Sequence, residues 1–380
     1  MFFSGKNLAE QVASKAALVL QAGGTVGDPA CGAGDLLLAT CSRYLADCQF
    51  DPTTLNILGS KVFGADIHGQ LVLAAVERLK LLIAHRLPVH DASRVVDMPN
   101  FISMDYFSNP GYFSQVDCLV MNPPFVESDS PEGTSWTSGK VQQAAIFVLD
   151  ALKVGKVGQQ IVAVLPDVLR SGSRYKKWRD LVTKYSVLNS IDIYGRFDRK
   201  TDVDVFILHA TKMGNPTEQT YVWHSVHRPS NRAALCVQDL YYVSVGAVVP
   251  HRSPKKGSWR PYLEVFNAPK NGSTTVTKKR RFAGRLHRGP FVTLRRTSSP
   301  SDGQRAVPTM VLNHDEVAVE NHLIVVAPID GKQATCQILF DLVMKDCITG
   351  WLNTRIRCRH LTTEVIKEIP LGDYFDESVV

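Results

Sequence analysis

Asp28-Pro29-Ala30-Cys31-Gly32-Ala33-Gly34-Asp35-Leu36-Leu37 decides how this chain folds. It follows a short apolar run, Thr25–Gly27, and precedes a helical pattern, so it reads as the turn of a strand–turn–helix unit. Glycines at 32 and 34 permit a tight turn in which backbone approaches a ligand with no Cβ in between. A lone G-x-G would serve NAD, a flavin or nothing. Here an acidic residue and a proline precede it at the strand end, and the third glycine of the dinucleotide fingerprint is missing. That glycine brings a helix close to a pyrophosphate, which a cofactor without phosphates does not need.

Working outward, strands are predicted at Lys61–Asp66, Phe101–Ser103, Asp117–Met121, Gln160–Leu165, Leu188–Tyr194 and Val203–Thr211. Helical patterns cover Leu8–Leu20, Gln70–His85 and Gln142–Leu152. This alternation predicts an α/β fold with a mainly parallel sheet. The last two strands, joined by a short turn near Gly195–Asp202, should pair as an antiparallel hairpin at a sheet edge. Seven strands with a terminal hairpin resemble the Rossmann-like methyltransferase sheet. Met213-Gly214-Asn215-Pro216 reads as a linker. It divides a domain over 1–212 from a smaller, mixed, β-rich domain over 213–380, which closes with a helix over Thr335–Leu352 and an element at Thr362–Ile369.

Three further motifs sit at predicted strand ends. Gly64-Ala65-Asp66-Ile67 puts a carboxylate where it can accept both hydrogen bonds of a ribose diol. Alone, Asp66 would read as a helix cap. Met104-Asp105-Tyr106-Phe107 offers another carboxylate, in a position where an acidic residue is usually only a turn former. Asp117-Cys118-Leu119-Val120-Met121 then runs into Asn122-Pro123-Pro124-Phe125. Two prolines stiffen that loop and remove its N–H donors, so it presents acceptors. The Asn122 side-chain oxygen and the Pro123 carbonyl can together accept both protons of an amino group. That localises the nitrogen lone pair for attack on a methyl sulfonium, and Phe125 supplies a flat face for a base.

DPACGAG, GADI, MDYF and NPPF, in this order, resemble the amino-group methyltransferases with an (Asn/Asp)-Pro-Pro-(Tyr/Phe) motif. They most resemble adenine-N6 DNA methyltransferases of restriction–modification systems whose catalytic domain precedes the target-recognition domain. The resemblance covers 1–212 by motif and the rest by position and texture. It implies S-adenosyl-L-methionine as cofactor, with Asp28, Gly32 and Gly34 lining its methionine side, Asp66 holding the ribose and Asp105 the cofactor's adenine. Pro29, Cys31, Ile67 and Tyr106 are implied as further cofactor-binding residues. Asn122, Pro123 and Pro124 would form the catalytic loop, with the flipped base stacked on Phe125 and clamped by Phe197. No catalytic metal is implied. Ser4–Ala9 lacks the proline that relatives often carry before the first helix.

Charge is divided unevenly along the chain. Residues 1–212 hold 21 Lys/Arg against 21 Asp/Glu, so the net +7 lies entirely in 213–380. Within 251–305 there are 14 basic and 2 acidic residues, which points to a polyanion partner and to segments that order on binding. Duplex DNA is the expected partner, with a cognate restriction endonuclease or other subunit as a second. Substrates such as an RNA base or a protein glutamine, and a silent DNA-binding subunit, stand as alternatives. The Ser/Thr-rich loop Glu127–Gly139 reads as a lid, a DNA contact or a plain surface loop. No long apolar span, no secretory pattern and no C-x-x-C among the 8 cysteines are found, so a cytoplasmic protein with reduced thiols and no membrane contact is expected.

Overall fold

The computed structural model describes residues 5–47, 52–85, 97–198, 201–215, 223, 235–253 and 256–372. Ser4 and the Pro216 end of the expected linker lie outside the described residues. The chain divides into two compact units, one of residues 1–170 with 174–223 and one of 171–173 with 224–380.

The first unit is the expected seven-stranded sheet. Its strands are β1 (Val26–Asp28), β2 (Val62–Asp66), β3 (Phe101–Ser103), β4 (Cys118–Met121), β5 (Gln160–Pro166), β6 (Ser186–Arg196) and β7 (Asp204–Lys212), in the order β3-β2-β1-β4-β5-β7-β6. Neighbours from β3 through β5 pair in parallel, and β7 runs antiparallel to both β5 and β6. The hairpin is present, but its second strand takes the inner place. Val205–Leu208 of β7 are all buried, as a strand covered on both faces must be, whereas β6 alternates and suits the edge.

Alternation along the strands divides two cores. Cys118, Val120, Val162 and Val164 face a layer with Leu8, Val12, Leu37 and Leu79 from helices α1 (Lys6–Gln21), α2 (Asp35–Asp47) and α4 (Gly69–Ala84). A further helix, α3 (Pro52–Lys61), leads into β2. Leu119, Met121, Ile161, Ala163 and Leu165 face the other way, onto α5 (Gln143–Val154) and a helix over Lys176–Tyr185. That last helix is not legible in the sequence because it buries little beyond Trp178 and Val182, one turn apart in an otherwise charged segment. Trp223 closes this layer, its ring 5.4 Å from Trp178 and 6.4 Å from Phe206.

The Glu127–Gly139 segment is built rather than loose. Glu127–Asp129 pairs with Lys140–Gln142 as a small hairpin, and Trp136 is buried beside Tyr175, whose hydroxyl accepts from the Gln142 N–H.

The second unit is mixed and β-rich. One sheet is ordered Tyr241–Val245, Leu323–Pro328, Phe291–Arg295, Pro308–Val311, Gly272–Thr274. The other is ordered Lys279–Phe282, Ser258–Leu263, Glu316–Val319, His287–Arg288. The expected single helix over Thr335–Leu352 is two, Gln333–Val343 and Asp346–Arg355. Buried Leu339 and Val343 keep helical spacing, but the next buried positions, Ile348 and Leu352, fall out of phase, and the break at Met344–Lys345 resets them.

Within 251–305 the described residues include five strands of these two sheets, Ser258–Leu263, Gly272–Thr274, Lys279–Phe282, His287–Arg288 and Phe291–Arg295. Not all cations of this segment reach the surface. Arg305 is fully buried and donates to Ser298 Oγ at 3.0 Å, Asn353 Oδ1 at 2.7 Å, and the Ile356 and Cys358 carbonyls at 3.3 and 2.8 Å. Arg305→Met should therefore cost on the order of 3 kcal/mol by stranding those acceptors. Denaturant unfolding would register it as a lowered midpoint. An unchanged midpoint would deny the side chain this scaffold role.

Candidate functional site

Carboxyl ends of parallel strands are where open α/β sheets gather ligand groups, because the chain leaves each strand there and the loops splay apart. β1, β2 and β4 end respectively at Asp28, Asp66 and Met121-Asn122, side by side in the sheet. Their loops enclose a cavity of about 290 Å³, which is the scale of a small-molecule site. Asp28, Cys31, Gly32, Asp66, Ile67, Asn122, Pro123 and Pro124, all singled out in the sequence, line it together. Asp35, His68 and Val126 line it too and were not singled out. Their only sequence signal is adjacency, each lying within two residues of a motif position.

The glycine loop is held by hydrogen bonds from its own backbone. Gly34 N–H donates to the Cys31 carbonyl at 2.8 Å, Cys31 N–H to the Ala65 carbonyl at 2.8 Å, and Gly32 N–H to Asp66 Oδ2 at 3.0 Å. Asp66 Oδ1 accepts from His68 N–H at 2.9 Å, so this carboxylate is fixed while keeping lone pairs for a ligand. Arg78 on α4 clamps the far side, reaching Asp35 at 2.8 Å and the Ala33 carbonyl at 2.5 Å. Gly34 sits at φ +84°, and a Cβ there would lie 2.9 Å from the Ala75 Cβ. Gly34→Ala should cost on the order of 2 kcal/mol and displace the loop. A Gly32→Ala partner, at φ +51° with open space around it, should cost about half that. Equal unfolding free energies for the two variants would contradict this packing.

The electrostatics of the cavity select its ligand. Asp28 is buried, and loss of water pushes its carboxyl up to about 8, against the pull of the Ala30 N–H and with Asp66 and Asp35 adding repulsion. Three acidic side chains, Asp28, Asp35 and Asp66, line one cavity, which disfavours a pyrophosphate and suits a cation, whose charge would in turn draw the proton off Asp28. S-adenosylmethionine carries a sulfonium and an ammonium, so the residues present fit it better than a dinucleotide. Burial, with Asp28 and Asp66 beside it, also raises the Cys31 pKa well above the usual thiol range, which keeps it a neutral thiol and a poor nucleophile.

Other expected site residues fall outside the cavity lining. Pro29 is buried, and Gly34 packs closely against Ala75 of α4. Asp105 is exposed and caps a helical turn by accepting from Phe107 N–H at 3.0 Å. Tyr106 is buried, its ring stacked 5.0 Å from Phe147. Phe125 and Phe197 do come together, but as an edge-to-face pair with centroids 5.4 Å apart and planes at 76°. In that arrangement one ring fills the place beside the other, and a sandwiched base requires one of them to swing away.

No family model and no curated protein matches the chain. Among solved structures, the type IIL restriction–modification enzyme MmeI in complex with DNA aligns with 96% of this chain and 64% of its own, at 12% identity and a TM-score of 0.57. The fold is shared with that enzyme. The type IIG restriction endonuclease BpuSI aligns with 97% of this chain and 59% of its own, at 14% identity and a TM-score of 0.48. A modification subunit of a type I restriction enzyme from Vibrio vulnificus YJ016 aligns with 57% and 45%, at 19% identity and a TM-score of 0.40. The chain thus spans less than two thirds of each. Among the described residues no helix is long and apolar enough to cross a membrane, and no cluster of metal-ligating side chains occurs.

Proposed function

We propose that this chain is an S-adenosylmethionine-dependent methyltransferase that modifies the exocyclic N6 amine of adenine in DNA. One observation carries the reading. The carboxylate-lined cavity at the ends of β1 and β2 shares its wall with Asn122, Pro123 and Pro124 at the end of β4. A site for a cationic methyl donor and a set of amine acceptors are therefore one cavity. Asp28 and the glycine loop hold the methionine end, and Asp66 takes the ribose diol. When bound, the cofactor supplies an electrophilic methyl group on sulfur.

Catalysis by this chain is positioning and electrostatics. The Asn122 amide oxygen and the Pro123 carbonyl accept the two amine protons and hold the nitrogen lone pair towards the donor. The donor held by Asp28 and Asp66 would supply its methyl group to that nitrogen, the new C–N bond replacing the methyl–sulfur bond, and the extra amine proton would leave to water. Phe125 carries the base on its face once Phe197 has moved off its edge, and extrusion of the base from the duplex brings it there. The cations of the second unit favour DNA as the acceptor, through phosphate contacts.

Calorimetric titration with S-adenosylmethionine and, separately, NAD tests the cofactor assignment. Binding of the first alone is expected. Binding of NAD, or of neither, would overturn it.

A further inference from the structure

Among the exposed cations of 251–305, two stand apart because of what lies beside them. Ser258–Leu263 pairs antiparallel with the edge strand Lys279–Phe282, placing Trp259 opposite Arg281 and Pro261 opposite Lys279. Residues directly opposite share a face, and so do alternate residues of one strand. Trp259, Arg281 and Lys279 therefore project together. The intervening Arg280 points to the other face, where its guanidinium lies 5.4 Å from the Tyr262 ring centre and donates to the Ser253 carbonyl.

Trp259 is 62% exposed, while Trp136, Trp178 and Trp223 are buried and Trp351 is half-buried. The Arg281 guanidinium lies over its indole, 5.6 Å from the ring centre. The second unit has a comparable pair, Arg355 over Trp351, but there Arg355 is half-buried and bridged to Glu368 at 3.4 Å. Lys279 and Arg281 enter no ion pair among the described residues. Two unbalanced cations and a bare indole on an open sheet edge form a surface with a chemical preference. Cations take phosphates, and a flat ring lies against a base or sugar and is steadied by the stacked guanidinium.

We propose that the Trp259–Arg281–Lys279 face is the principal DNA contact of the second unit, with both cations on phosphates and the indole against a base or deoxyribose. This rests on the DNA reading above. It separates these cations from Arg280 and Arg305, which serve the fold.

The test uses the whole chain and a short fluorescein-labelled duplex of mixed sequence. Lys279→Ala/Arg281→Ala should weaken binding about tenfold at physiological salt and lower the slope of log K against log salt by about two, one for each lost phosphate contact. Trp259→Ala should weaken binding about tenfold with no change in slope. Lys332→Ala/Lys367→Ala, a charge-matched change elsewhere in this unit, should leave the slope near that of wild type. Saturating duplex should also shield tryptophan emission from acrylamide in wild type and not in Trp259→Phe. Unchanged affinity and slope in the first two variants, or unshielded emission in wild type, overturns this surface while the DNA reading stands. Wild-type protein that binds no duplex overturns both.

Discussion

Asn122→Ala is expected to lower methyl transfer by about 10²- to 10³-fold, the usual loss when one preorganised polar contact to the reacting centre is removed. S-adenosylmethionine affinity should change little. The division follows from where the groups sit. Asp28, Gly32 and Asp66 stand on β1 and β2 and their loops, while Asn122 leaves β4 on a loop stiffened by two prolines. On the proposed roles, truncating Asn122 would remove one amine acceptor and leave the Pro123 carbonyl as the other. Single-turnover transfer and equilibrium cofactor binding should therefore separate. Loss of both, or of neither, would remove Asn122 from the assigned role.

Asp28→Asn is expected to act in two opposite directions. In the cofactor-free protein the buried carboxyl keeps its proton up to about pH 8, whereas in an unfolded chain it gives it up near pH 4. Between those values the folded state binds more protons, so this group's contribution to stability is fully present below about pH 4 and lost as pH rises through about 8. Asparagine keeps the acceptor for the Ala30 N–H and removes the titration. The variant should therefore outlast wild type by a margin that widens towards alkaline pH, on the order of a few kcal/mol by pH 9. A bound cation reverses the balance, because it stabilises the carboxylate. Cofactor affinity of wild type should then strengthen as pH rises towards 8, by up to about tenfold per pH unit, and fall back as the cofactor's own ammonium deprotonates near the same value. Asp28→Asn should bind weakly, with that rise flattened. A pH-independent affinity in wild type, or a variant that loses stability at alkaline pH, would show that Asp28 is not the buried acid of this site.

The parts of the molecule legible in the sequence are those fixed by short-range pattern. β1 to β4 and the loops at their ends could be placed because strand, turn residues and helix follow one another within each motif. A parallel sheet then brings Asp28, Asp66 and Asn122 together without further instruction. Features decided by long-range packing were not legible. Gly272–Thr274 pairs in parallel with Thr309–Val311, and Tyr262 with Ala318, contacts that no local pattern announces. Tyr106 sits beside a motif carboxylate, yet its ring goes to the core because Phe147 and Phe113 offer it an aromatic layer. Arg305 reads as one more cation of a basic run, and only the fold shows it buried among carbonyls.

The acceptor is tested most directly by incubating the chain with methyl-labelled S-adenosylmethionine and duplex DNA, in parallel with RNA and with protein, and identifying the labelled atom by mass spectrometry. Label on the N6 nitrogen of adenine in DNA is the expected result. Label on an RNA base, on a glutamine amide or on no acceptor at all would contradict it.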